Sequence, residues 1–92
     1  MIISFKHKGL EKFFLKGDTS KVQQNHVKKL RFILAQMHAA HEIKDLNYPG
    51  ANLHSLKGNL RHYWSITVNG NWRIIFKFDK GDVYLTDYVD YH

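Results

Sequence analysis

The chain has 92 residues and no cysteine; 43% of it is hydrophobic and 14% aromatic, and its formal charge is +6. A chain of this length is expected to form one domain, residues 1–92, that buries about 60–65% of its unfolded surface, and its apolar content argues against disorder. Lack of cysteine excludes disulfides, thiol catalysis and cysteine-based zinc sites, while the basic balance points to an anionic partner: nucleic acid, an anionic membrane surface or an acidic protein.

The opening Met-Ile-Ile-Ser-Phe-Lys-His-Lys has no basic segment leading into a long apolar stretch. No apolar run approaches about 20 residues, so neither a signal peptide nor a membrane span is predicted, and a cytoplasmic location is expected. Ile2, Ile3 and Phe5 suggest a short strand. Leu10, Phe13 and Phe14 fall at helical spacing, and Gly17 marks a stop, predicting a helix over 8–16. Ser20-Lys21-Val22-Gln23 has the form of a capping box opening a longer helix over 21–40. Its apolar stripe is Val27, Leu30, Ile33, Leu34 and Met37, with Lys21, Lys28, Lys29 and Arg31 on the remainder. His38 and His41 lie one helical turn apart, but no third metal ligand is evident and solvent exposure at the helix end accounts for them.

Residues 42–46 read as one further helical turn, Tyr48-Pro49-Gly50 as a bend, and residues 52–58 as a short or irregular strand. Tyr63 to Phe78 is the clearest signal. Trp64, Ile66 and Val68 alternate with Tyr63, Ser65 and Thr67, Trp72, Ile74, Phe76 and Phe78 alternate with Arg73, Ile75 and Lys77, and Asn69-Gly70-Asn71 joins the two runs. A three-residue loop with Asn71 left-handed would pair Val68 with Trp72, Ile66 with Ile74 and Trp64 with Phe76. After a second turn at Asp79–Asp82, residues 83–91 form the last strand. Pairing Phe78 with Val83 then sets Phe76 against Leu85, Ile75 against Thr86, Ile74 against Asp87, Arg73 against Tyr88 and Trp72 against Val89. Asp87 is out of place in that apolar row. The architecture predicted is α+β, helices packed on the face of an antiparallel sheet that carries Trp64, Ile74 and Phe76. The other face would carry Arg73, Asp90 and His92, with His54 and Lys57 at its rim.

Such a face suits RNA chemistry. Imidazoles exchange protons near neutral pH, a carboxylate tunes a neighbouring imidazole, and Arg or Lys stabilises charge on phosphate. Tyr91 offers a ring to a base or a phenol to a proton. Together these groups describe a ribonuclease needing no metal, in which the 2′-OH attacks the adjacent phosphate. Two other readings stay open on residue chemistry alone: a basic domain that grips RNA or DNA without cutting it, and a module that uses its helices to bind a protein.

Leu53-His54-Ser55-Leu56-Lys57-Gly58, Tyr63-Trp64-Ser65-Ile66-Thr67-Val68-Asn69, Asn71-Trp72-Arg73-Ile74 and the closing Asp90-Tyr91-His92 resemble the HigB toxins of the RelE superfamily. The resemblance covers nearly the whole chain. It implies a small RelE-like α+β fold and a ribosome-dependent endoribonuclease that cuts mRNA in the A site without a cofactor. It also implies a helix-turn-helix antitoxin of the HigA type, with operator DNA bound chiefly through that antitoxin. By motif, His54, Asp90, Tyr91 and His92 match the functional residues and Lys57 and Arg73 the basic positions. Many relatives carry Arg where this chain has Leu60; here Arg61 follows instead.

Overall fold

The computed structural model describes residues 1–90. Two helices, α1 (Lys8–Lys16) and α2 (Val27–Ala39), precede four strands: β1 (His54–Ser55), β2 (Tyr63–Asn69), β3 (Trp72–Asp79) and β4 (Asp82–Asp90). The strands form an antiparallel meander in the order β1-β2-β3-β4. The α+β arrangement matches the expectation from sequence.

Helix α1 has the predicted bounds. His7 caps it by accepting the Leu10 N–H at Nδ1 (2.9 Å), and Gly17 ends it at φ +72, donating to the Phe13 carbonyl. Helix α2 is shorter than predicted. The capping box at Ser20 does not form, because Asp18 Oδ1 takes the Ser20 N–H at 2.9 Å and Gln23 is extended. A single 3₁₀ turn, Gln24–His26, leads into α2 instead. Leu30, Ile33, Leu34 and Met37 are buried as the stripe predicted, against Leu10, Ile66, Ile74, Phe76 and Val83.

The β2–β3 pairing agrees with expectation from Trp64–Phe76 through Ile66–Ile74, but the tip differs. Asn69 pairs with Trp72, Val68 is left as a bulge, and Gly70 rather than Asn71 takes the left-handed backbone, at φ +56. The bulge keeps Val68 buried while allowing a two-residue turn.

The β3–β4 register departs further. Phe78–Val83 and Lys77–Tyr84 pair as expected; a bulge then shifts the ladder, giving Ile75–Asp87, Ile74–Tyr88, Arg73–Val89 and Trp72–Asp90. Leu85 takes φ +54 in that bulge, and its N–H donates to Ser4 Oγ at 2.9 Å. The shift removes the misplaced acid: Asp87 turns away from the helices and Tyr88 turns in, to 5% exposure. The N-terminal segment closes this edge, Ile2 and Phe5 bridging in parallel to Val83 and Thr86.

A left-handed backbone costs a non-glycine residue about 1–2 kcal/mol, whereas glycine gives up some of that gain through chain entropy. Leu85→Gly is therefore expected to hold or slightly raise the melting temperature. Leu85→Val, β-branched in a conformation it resists, should lower it by about 4–8 °C per kcal/mol lost. Thermal unfolding of the three proteins checks the order Gly, Leu, Val.

Tyr88 meets His26 in the interior. The Tyr88 hydroxyl lies 2.6 Å from His26 Nδ1, with the Gln23 N–H at 3.4 Å. The phenol oxygen accepts from the Gln23 N–H and shares a second hydrogen bond with His26 Nδ1. Trp72 packs on Tyr88 (ring centroids 4.6 Å apart) and edge-on against His26. Burial lowers the His26 pKa from its ordinary 6.5 and raises that of Tyr88. The unfolded chain thus binds a proton the native state refuses, and stability is complete above the unfolded value and falls as pH drops through it. Melting curves from pH about 8 to 5 should decline below pH about 6.5, and His26→Asn should flatten that decline.

Candidate functional site

The site begins with β1. His54 pairs with Ser65, Ser65 with Ile75 and Ile75 with Asp87. Directly opposed residues share a face, so these four make one row across the sheet on the side away from the helices. Strand spacing makes that row about 14 Å long. Thr67, Arg73 and Val89 form the next row on the same face, and Tyr63, Lys77 and Tyr84 the row on its other side. Ser65 and Ile75 at its centre are buried, so His54, Tyr63, Arg73, Lys77, Tyr84 and Asp87 frame it.

His54 is exposed, and its Nδ1 lies 2.9 Å from the Asn52 carbonyl oxygen. A carbonyl only accepts, so Nδ1 carries the proton and the neutral ring presents the Nε2 lone pair outward. Asn52 adopts φ +50, the bend that brings its carbonyl to the ring. Arg73 Nη1 donates to the Gly70 carbonyl at 2.5 Å and the Trp72 carbonyl at 3.0 Å, holding the guanidinium at the hairpin end of the face. Lys77 stands 5.1 Å from the Tyr63 ring centre. Lys57 is exposed at the start of the 3₁₀ turn Gly58–Leu60, and the Leu56 N–H donation to Tyr63 ties this stretch to β2.

Of the residues singled out from sequence, His54 and Lys57 lie together at the β1 edge, and Arg73 shares the His54 face two strands away. Asp90 was expected on the Arg73 face, further along β4 than a Tyr88 paired with Arg73. The β4 bulge sets it opposite Trp72 instead, in register with the helix side, and Val89 takes the place beside Arg73. Tyr91 and His92 lie outside the described residues. Two features of this face went unread, Asp87 and the Lys77–Tyr63 contact, as did the buried His26–Tyr88 pair on the helix side. The signal for Asp87 was present, since an aspartate in an apolar row marks a broken register.

His38 has structural work. Its Nδ1 accepts the Ile2 N–H at 3.1 Å and its ring packs on Phe14. Among the described residues no group of three His, Asp or Glu side chains comes together as a metal-binding set, and no helix is long and apolar enough to cross a membrane.

Residues 3–92 match the family described as RelE-like toxin of type II toxin–antitoxin system HigB. The chain is 50% identical to a Proteus vulgaris protein named endoribonuclease HigB, over the full length of both. It is 34% identical to toxin HigB-1 of Vibrio cholerae, covering all of this chain and 98% of that one. Among solved structures, the YoeB–YefM complex of Staphylococcus aureus contains a chain that superposes with a TM-score of 0.66 at 20% identity, covering all of this chain and 95% of that one. The S. aureus YoeB dimer superposes at 0.61 and 18% identity, covering 99% and 94%. These structures share the fold. On the family match and the identity to two curated relatives, the chain belongs to the HigB-like family of RelE-like toxins of type II toxin–antitoxin systems.

Proposed function

We propose that this toxin, acting as one domain over residues 1–92, is an endoribonuclease that cuts mRNA in the ribosomal A site and stops translation. The observation that carries the proposal is the 50% identity, end to end, with a protein named an endoribonuclease. The sheet face supplies compatible chemistry. With Nδ1 held by the Asn52 carbonyl, His54 Nε2 takes the proton from the 2′-OH. The 2′-oxygen attacks the adjacent phosphorus. Arg73 and Lys57 stabilise the charge growing on the phosphate oxygens. Beyond that face, the resemblance assigns protonation of the departing 5′-oxygen to His92, tuned by Asp90, and positioning of the nucleotide to Tyr91. The ribosome supplies substrate geometry that so small a domain does not enforce alone.

The partner that restrains this activity is a helix-turn-helix antitoxin of the HigA type, and operator DNA is reached through it. The site of action is the cytoplasm, where the ribosomes are.

Inducible expression in a bacterium tests the reading. Wild type should arrest growth and leave mRNA cut within codons held in the A site; His92→Ala and Arg73→Ala should do neither. Growth arrest that persists in both variants with mRNA intact would instead favour binding without cleavage. Equal, intact mRNA and unimpaired growth in wild type and variants would sink the enzymatic reading.

A further inference from the structure

We propose that His26 and Tyr88, buried on the helix side of the sheet, form a register lock for the end of β4, making both of them positioning residues for Asp90. This role rests on the endoribonuclease reading of the site.

Strand β4 has two ways to pair with β3. The ladder without a bulge continues from Phe78–Val83 and Lys77–Tyr84 by placing Thr86 opposite Ile75, Asp87 opposite Ile74, Tyr88 opposite Arg73 and Val89 opposite Trp72. It would spare Leu85 its left-handed backbone. The ladder the chain adopts inserts the bulge and moves every later residue by one. A one-residue slip turns each side chain to the other face, so the choice decides where Asp90 stands relative to Trp72 and Arg73.

The adopted register is favoured by what Tyr88 meets inside. Its hydroxyl is 2.6 Å from His26 Nδ1, its ring packs on Trp72 and against His7, and it is 5% exposed. His26, 2% exposed, is held by the 3₁₀ turn that precedes α2. In the other register Tyr88 would lie beside Arg73 on the opposite face. His26 would then be left buried without its phenol, and Asp87 would be driven towards the core. The hydrogen bond is therefore available in only one of the two ladders. It joins the 3₁₀ turn before α2 to the strand two residues before Asp90.

Neither residue shares the site face, so their effect on the reaction must pass through the strand. Small displacements of a reacting group are costly, a shift of about 1 Å being enough to lose about 100-fold in rate. The test measures single-turnover cleavage and KM with mRNA held in the ribosomal A site, together with amide exchange at Val89 and Asp90. Tyr88→Phe retains the ring on Trp72 and removes only the hydroxyl. It should lower kcat about tenfold or more, leave KM within about threefold, and speed exchange at both amides. His26→Leu should do the same. His26→Asn places Oδ1 near the Nδ1 position and should recover kcat to within about threefold of wild type.

Cleavage by Tyr88→Phe at the wild-type rate per folded molecule, or His26→Asn as slow as His26→Leu, overturns the lock. A purely structural role would lower the melting temperature without changing kcat per folded molecule, and that also overturns it. Should His26→Leu fail to fold, Tyr88→Phe and His26→Asn decide between these outcomes. Wild type that leaves ribosome-bound mRNA intact would remove the enzymatic reading and this role with it. Wild type that cuts while Tyr88→Phe cuts equally well removes this role alone.

Discussion

Replacing His54 by alanine should reduce cleavage of ribosome-bound mRNA by about 10²–10⁴-fold, the usual contribution of a positioned general base. The fold should survive the change. His54 is exposed on a two-residue edge strand, and its ring is hydrogen-bonded to the carbonyl of nearby Asn52. Surface substitutions of this kind stay within about 0.5 kcal/mol, which is about 2–4 °C in melting temperature for a domain of this size. Single-turnover cleavage and thermal unfolding, measured on the same preparation, separate the two quantities. An unchanged cleavage rate would remove His54 from the proton-transfer role. A large loss of melting temperature would show that the β1 edge carries more of the fold than its length indicates.

Phe76→Ala should have the largest effect on stability. Phe76 is fully buried in the middle of β3, opposite Trp64, where the β4 ladder shifts. Truncation of a buried phenylalanine costs about 3–5 kcal/mol through lost transfer energy and the cavity left behind. A domain of this length has only about 5–14 kcal/mol of stability to lose, at about 0.05–0.15 kcal/mol per residue. The melting temperature should fall by about 15–30 °C, and the variant should unfold at a much lower urea concentration. Phe32→Ala makes the control, since Phe32 is 49% exposed and meets Tyr48 edge-on. Its loss should be a small fraction of that seen at Phe76.

The parts of the fold governed by local rules were legible in the sequence. Helix α1 carries its own stop in Gly17, the α2 stripe is periodic, and the apolar rows of the β2–β3 hairpin recur at every second residue, Trp64 and Ile66 on one strand and Ile74 and Phe76 on the other. The start of α2 was misread because Asp18 competes for the amide a serine cap would leave to the helix. At the hairpin tip, glycine took the left-handed position that Asn71 was also able to fill. The β4 register was hidden for a different reason. It depends on Ser4 at Leu85 and on His26 at Tyr88, contacts separated by 81 and 62 residues. No local pattern encodes partners so distant, although Asp87 in an apolar row did flag the misfit.

The expectation of a HigB-like toxin is matched by the family over residues 3–92, and that of an endoribonuclease by a relative of that name. Of the site, Arg73 was expected on the open face and His54 at its rim, and the register sets both on that face. Asp90, expected there too, lies in register with the helix side, because its facing follows the bulge.

The pairing of the first residues with the last strand also orders events in time. Ile3 donates to the Val83 carbonyl, and Thr86 donates to the Ser4 carbonyl. A loop of about eighty residues closes slowly compared with a hairpin. The β2–β3 hairpin therefore closes over a short loop once its own two strands are made, while residues 2–5 wait for residues 83–86. Every shorter nascent chain lacks the strand that covers this edge and the Tyr88 that fills the space beside His26. A toxin assembled in this order completes its own interior with its final strand, after the ribosome producing it has nearly finished.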